Sequence, residues 1–163
     1  MVMAVNVSGV VITANIRIKT TTQKRQGYYK TEIMGMYTEL IFGADLKQDT
    51  PKNVIEALKY MIGDTEEKPT DFPFPNGRCK WLFKGASYYF GVNRPVSKMW
   101  QDDIGNNWVL STRSNIKNYE GEIEAFLEWI KPYIDGGSGY RDMYAVVTYE
   151  EAEAPNIYYL HED

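Results

Sequence analysis

The apolar pattern of this chain predicts an α+β fold with two pseudo-symmetric β-α-β-β halves. They form a mainly antiparallel sheet covered by two helices, with an extra N-terminal strand. Two observations carry this prediction. A strand-like alternation is followed by a helix-period stripe twice, once from about residue 40 to 62 and again from about 108 to 134. The segment Ile55-Glu56-Ala57-Leu58 also stands 68 residues before Ile123-Glu124-Ala125-Phe126, and the two preceding strands are spaced about equally. Neither half could cover its sheet alone, so one shared core under two helices is the economical arrangement.

Each element follows from its residues. Ile12, Ala14, Ile16 and Ile18 alternate with Thr13, Asn15, Arg17 and Lys19, which predicts a half-buried strand over residues 10–20. Tyr28–Ile33 reads as a short returning strand. Leu40, Phe42, Ala44 and Leu46 make the next strand. Asp49-Thr50-Pro51 supplies an N-cap and a proline suited to a first helical turn. Val54, Ile55, Leu58, Met61 and Ile62 form the helical stripe, and Gly63 ends it. Arg78–Phe83 and Ala86–Val92 then read as two strands joined at Lys84-Gly85.

In the second half, Trp108, Leu110 and Thr112 mark a strand within Asn107–Ile116. Asn118 caps a helix whose stripe is Ile123, Phe126, Leu127, Ile130 and Ile134, and Pro132 shortens it. Met143, Ala145, Val147 and Tyr149 alternate as a further strand, and Asn156–Leu160 is the last. The organisation is therefore a basic β arm over residues 1–35 and a single α+β domain over 36–163. The halves of that domain span approximately 36–104 and 105–163.

Charge is unevenly placed. Residues 1–35 hold five cations and one anion, whereas residues 36–163 hold 13 cations and 21 anions. An acidic body argues against nucleic acid as a partner, because phosphate contacts need clustered cations. No apolar run has membrane-spanning length, so no membrane partner is expected, and Met1–Ile18 reads as a strand rather than a signal peptide. The single cysteine, Cys79, rules out an intrachain disulfide and suits a cytoplasmic location.

The residue types limit the chemistry. One His (His161) and one Cys exclude Cys/His zinc sites. Asp102-Asp103 with Asn106 lacks calcium-loop spacing and reads as a solvated loop. Gly136-Gly137-Ser138-Gly139 follows a helix and precedes a strand, the reverse of a phosphate loop. Glu120, Glu124 and Glu128 share a helix face opposite the apolar stripe, which reads as a solvated face. No catalytic residue, metal or cofactor is expected.

Aromatic residues are the surplus: 13 Tyr, 4 Trp and 6 Phe, more than a core of this size needs. On strands, adjacent tyrosines place one ring inward and one outward. The candidate interaction residues are Arg94, Trp100, Arg113, Tyr88, Tyr140 and Tyr158. The irregular connection Asn93–Asn106 is the favoured place for a recognition element.

Met36-Tyr37-Thr38-Glu39-Leu40, the Asp49-Thr50-Pro51 helix start, Arg113–Tyr119 and the ending Tyr149-Glu150-Glu151 to Tyr159 resemble small uncharacterised bacteriophage and prophage proteins. That resemblance covers residues 36–163. It implies a phage or mobile-element origin and brings no established activity. The duplicated architecture alone is similar to GyrI-like ligand-binding domains, and no site residue follows from it. The resulting expectation is a non-enzymatic binding protein encoded by a phage or prophage. It would occlude a host protein, such as a defence or regulatory factor, in the host cytoplasm. A small-molecule binder taking a nucleotide-like or aromatic ligand between the halves is the alternative, and a small acid–base enzyme is the second alternative. Residues 10–20 are expected to pair with the sheet of the body or with that of a second copy, and in the second case the N-terminal arm makes a homodimer.

Overall fold

A computed structural model describes residues 36–91, 94–137 and 142–161. The expected strand at residues 10–20, the returning segment Tyr28–Ile33 and the candidate residue Tyr140 lie outside them.

The described chain is α+β. Its elements are β1 (Thr38–Asp45), α1 (Lys52–Ile62), β2 (Val96–Gln101), β3 (Trp108–Ile116), α2 (Glu122–Ile130), β4 (Met143–Tyr149) and β5 (Asn156–Tyr159). Single 3-10 turns occur at Cys79–Trp81 and Lys131–Tyr133. The five strands form one antiparallel sheet in the order β2-β3-β1-β4-β5. β1 is central and pairs with β3 along its whole length, from Thr38 opposite Ile116 to Asp45 opposite Val109. The first four strands and two helices follow the split β-α-β connectivity, to which β5 adds an edge hairpin.

The first half supplies two strands rather than three. Arg78–Phe83 was expected to be a strand, but Cys79, Leu82 and Phe83 are buried at spacing i, i+3, i+4, the signature of a helical turn. Ala86–Gly91 forms no strand either, although its Tyr-Tyr-Phe run has high strand propensity. Propensity without a neighbour to pair with leaves the backbone groups unsatisfied. The connection read as irregular, Asn93–Asn106, instead contains β2. Only Met99 of that edge strand is buried, so its alternation is faint in sequence.

The helices start differently from expectation. Pro51 is itself the N-cap of α1, and the Thr50 hydroxyl turns back to donate to the Lys47 carbonyl at 2.6 Å. Gly63 ends α1 at φ +95°, a conformation that favours glycine. On α2 the N-cap is Gly121 rather than the expected Asn118, although Asn118 Oδ1 accepts from the Ile123 amide at 3.0 Å. Pro132 falls in the closing 3-10 turn, where the regular helix has already ended.

In an antiparallel pair, opposed residues share a face. Leu40, Phe42 and Ala44 lie opposite Ser114, Thr112 and Leu110, and Leu40 and Phe42 also lie opposite Val147 and Ala145. Both helices pack on this face. The Phe126 ring is 5.3 Å from Phe42 and 4.9 Å from Phe83, edge to face, and all three are buried. α1 contributes Val54, Leu58 and Met61 to the same cluster.

Candidate functional site: the sheet face opposite the helices

Pleating sends every second side chain of β1 to the other face. There Glu39, Ile41, Gly43 and Asp45 alternate with the core residues. One row crosses all five strands in register: Val96, Arg113, Ile41, Val146 and Ile157. Val96 is 64% exposed, Ile41 39% and Ile157 47%. Trp100, opposite Val109, and Met143, opposite Tyr159, are also exposed large apolar residues. Single exposed apolar residues need no explanation, whereas several on one sheet face make that face a candidate interaction surface.

The charged groups of this face are organised. Arg113 Nε donates to Glu39 Oε1 at 2.9 Å and its Nη2 to Oε2 at 3.3 Å, a two-pronged pair. Glu39 is buried and Arg113 is partly exposed. The Arg113 guanidinium is thus already engaged by a carboxylate. Lys98 lies on the same face opposite Ser111. Lys117 places its Nζ 5.3 Å from the Tyr37 ring centre, just beyond β3.

Two of the sequence candidates lie on this face. Arg113 and Trp100 are on the face, and Arg94 is exposed two residues ahead of β2. Tyr88 is 87% exposed and meets Tyr37 edge-on at 6.5 Å. The pair Tyr88-Tyr89 is not split by a pleat, because both rings sit on a loop and both are exposed. The Tyr89 hydroxyl donates to the Glu150 carbonyl at 2.6 Å, which ties that loop to the end of β4. Tyr158 belongs elsewhere: it is opposite Ala145 on the helix side, and its ring lies 6.3 Å from Tyr144. Burial, followed by the nearby charge of Glu124, raises the Tyr158 pKa above the ordinary tyrosine value.

Ile41, Val96 and Ile157 were missed in the sequence. Only the register reveals that they share a row.

The carboxylates spread in other directions. Glu120 accepts from the Asn76 side-chain amide and Glu124 from that of Asn118. Glu122, in the first turn of α2, is fully buried against Arg78. Burial alone would raise its pKa, but hydrogen bonds from Arg78 and from backbone amides outweigh burial and lower it. An acid held ionised in this way is a structural anchor rather than a proton donor. Asp102 Oδ2 accepts from its own turn's amides at Ile104 and Gly105. Among the described residues no group of three His, Cys, Asp or Glu side chains is placed to hold a metal ion. Nor is any described helix long and apolar enough to cross a membrane.

No family model, no characterised protein and no solved structure matches the chain.

Proposed function

We propose that this chain is a non-enzymatic binding protein of phage or prophage origin that occludes a host protein in the host cytoplasm. Its docking surface is the sheet face opposite the helices. The single observation that carries this reading is the row Val96–Arg113–Ile41–Val146–Ile157, one residue per strand, in which Val96, Ile41 and Ile157 are exposed. The pseudo-symmetry of the halves belongs to the same reading, as two β-α-β units whose second strands each pair with the other unit's first strand.

The partner is a protein with an apolar centre and an acidic rim. The rim would meet Lys98, Lys117 and Arg94, cations that stand out on an otherwise acidic body. Five strands at about 4.8 Å spacing and roughly 20 Å of strand length give a face of about 400–500 Å². That is roughly half of one side of a standard interface. The partner therefore also reaches the rim at Tyr88 and Met143.

Ile41→Asp and Val96→Asp test this. Wild-type protein should retain one stoichiometric partner from host lysate. The two variants should lose it while melting within a few degrees of wild type. A partner held equally by wild type and variants would overturn the assignment of the face. The expected homodimer through residues 1–35 is a separate proposal, motivated by the alternation at residues 10–20. Removing residues 1–35 should halve the solution mass beyond the arm's own contribution, and an unchanged oligomeric state would contradict it.

A further inference from the structure

The helix layer carries a feature that the docking surface does not use. Between the end of α1 and the Cys79–Trp81 turn lies a cleft of about 460 Å³. It is lined by Tyr60, Gly63, Thr65, Lys80, Trp81 and Lys84, with Glu66 also at its wall. The volume falls in the range of small-molecule sites.

Trp81 is 53% exposed, unusual for the largest apolar side chain on a turn whose neighbours Cys79 and Leu82 are buried. Two ammonium groups converge on its ring, Lys80 Nζ at 5.2 Å from the ring centre and Lys84 Nζ at 5.9 Å. Lys84 is held in place. It donates to the Tyr60 carbonyl at 3.1 Å and lies 5.6 Å from the centre of the Tyr60 ring. That bond uses one of its three donors and leaves two for a ligand. Gly63 keeps this position open, since a Cβ there would come within 3.0 Å of Lys84 Cε. The left-handed φ of Gly63 also disfavours any other residue.

From this geometry we infer that the cleft binds a small planar aromatic anion. The ligand's ring stacks on the exposed part of Trp81, and its single phosphate or carboxylate sits between Lys80 and Lys84. Both halves of the ligand are needed. Stacking alone is tolerant of ring type, and with the Glu66 carboxylate also lining the cleft the two cations alone hold a bare anion less firmly. The acidic body sets an upper limit on ligand charge. Residues 36–163 carry a net charge of −8, from 13 cations and 21 anions, so a polyanion is repelled more strongly than a single anionic group.

Calorimetric titration of the full chain tests the inference. The probes are adenosine 5′-monophosphate and indole-3-acetate, one for each anion, with adenosine as the neutral control. At least one anionic probe should bind with a dissociation constant of about 1 mM or tighter, and which one binds distinguishes phosphate from carboxylate. Adenosine should bind at least about tenfold more weakly. Trp81→Ala and Lys80→Glu, both changes at the surface, should each weaken the bound probe at least about tenfold. Failure of both anionic probes to bind at about 10 mM would overturn the inference. So would binding that survives both substitutions, or adenosine binding as tightly as the anions. Amide chemical shifts recorded in the same titration should move at Lys80, Trp81 and Gly63, and shifts confined to other residues would also overturn it.

Discussion

Arg78 and Glu122 meet across 44 residues of chain, Nε to Oε1 at 2.5 Å, with the carboxylate wholly buried and the guanidinium side chain 40% exposed. Arg78 also donates through Nη2 to the Lys117 carbonyl at 2.6 Å. One side chain therefore fastens the turn at Cys79–Trp81 to both the end of β3 and the start of α2. The second oxygen of Glu122 accepts from the Glu120 amide at 3.1 Å. Burial of this charge is tolerable only because its lone pairs are satisfied.

The asymmetry of exposure makes the two deletions unequal. Arg78→Ala strands a buried charge and should cost about 3 kcal/mol, near the lower end for a broken buried pair. Glu122→Gln leaves an arginine that can turn to solvent, and should cost about 1–2 kcal/mol. Urea unfolding of both variants measures the difference. Equal losses would show that Arg78 is as confined as its partner.

The same pair sets an acid limit. The Glu122 pKa is below its ordinary value in the folded state. A carboxyl depressed on folding contributes stability that is present above its unfolded pKa of about 4.3 and is lost as pH falls through the folded value. Arg78 stays charged throughout. Wild-type stability should therefore decline below about pH 4.3, whereas the Arg78→Ala deficit should shrink there, because a protonated Glu122 tolerates burial. Urea titrations between neutral and acid pH would show the two curves converging.

Cys79 should be inert. Burial first, then the charges of Glu122 and Glu120, push its thiol up to about 11. A disulfide reagent at pH 8 should label the native protein at least about 100-fold more slowly than a free thiol, and at the free rate in urea. The shift also has a consequence for stability. The unfolded thiol ionises first, so stability should fall as pH rises from about 8.5 towards 11. Fast native labelling would place Cys79 at the surface.

Two glycines should separate cleanly. A Cβ on Gly85 would lie 2.5 Å from the Asn115 carbonyl oxygen, a backbone atom of β3 that cannot move alone. The Gly85 carbonyl in turn accepts from the Asn115 amide at 3.1 Å. Gly85→Ala should cost about 2–3 kcal/mol. A Cβ on Gly43 would meet nothing within 4 Å, so Gly43→Ala should change stability by less than about 0.5 kcal/mol. Thermal melts of the two variants decide it.

Phe126 sits where three rings converge, within 4.9 Å of Phe83, 5.3 Å of Phe42 and 6.3 Å of Trp129. Phe126→Ala should cost about 3–5 kcal/mol. A smaller loss in denaturant would mean that the neighbouring rings collapse into the space.

The sequence by itself determined the elements whose periodicity a buried face enforces. β1, β3 and β4 alternate because one of their faces meets the helices, and α1 and α2 show their stripes because each buries one side. The aromatic surplus and the acidic body were equally legible. The tertiary structure decided what local pattern could not. It made Cys79–Phe83 a helical turn, because Arg78, Cys79 and Phe83 are held by α2 and the core rather than by a neighbouring strand. It made Val96–Gln101 a strand, because the edge of β3 was free to pair with it. It also brought Val96, Arg113, Ile41, Val146 and Ile157 into one row, and Lys80 and Lys84 onto Trp81. Burial writes itself into sequence as periodicity, residue by residue. Register, pairing and convergence of distant side chains depend on which segments meet, and only the folded chain specifies that.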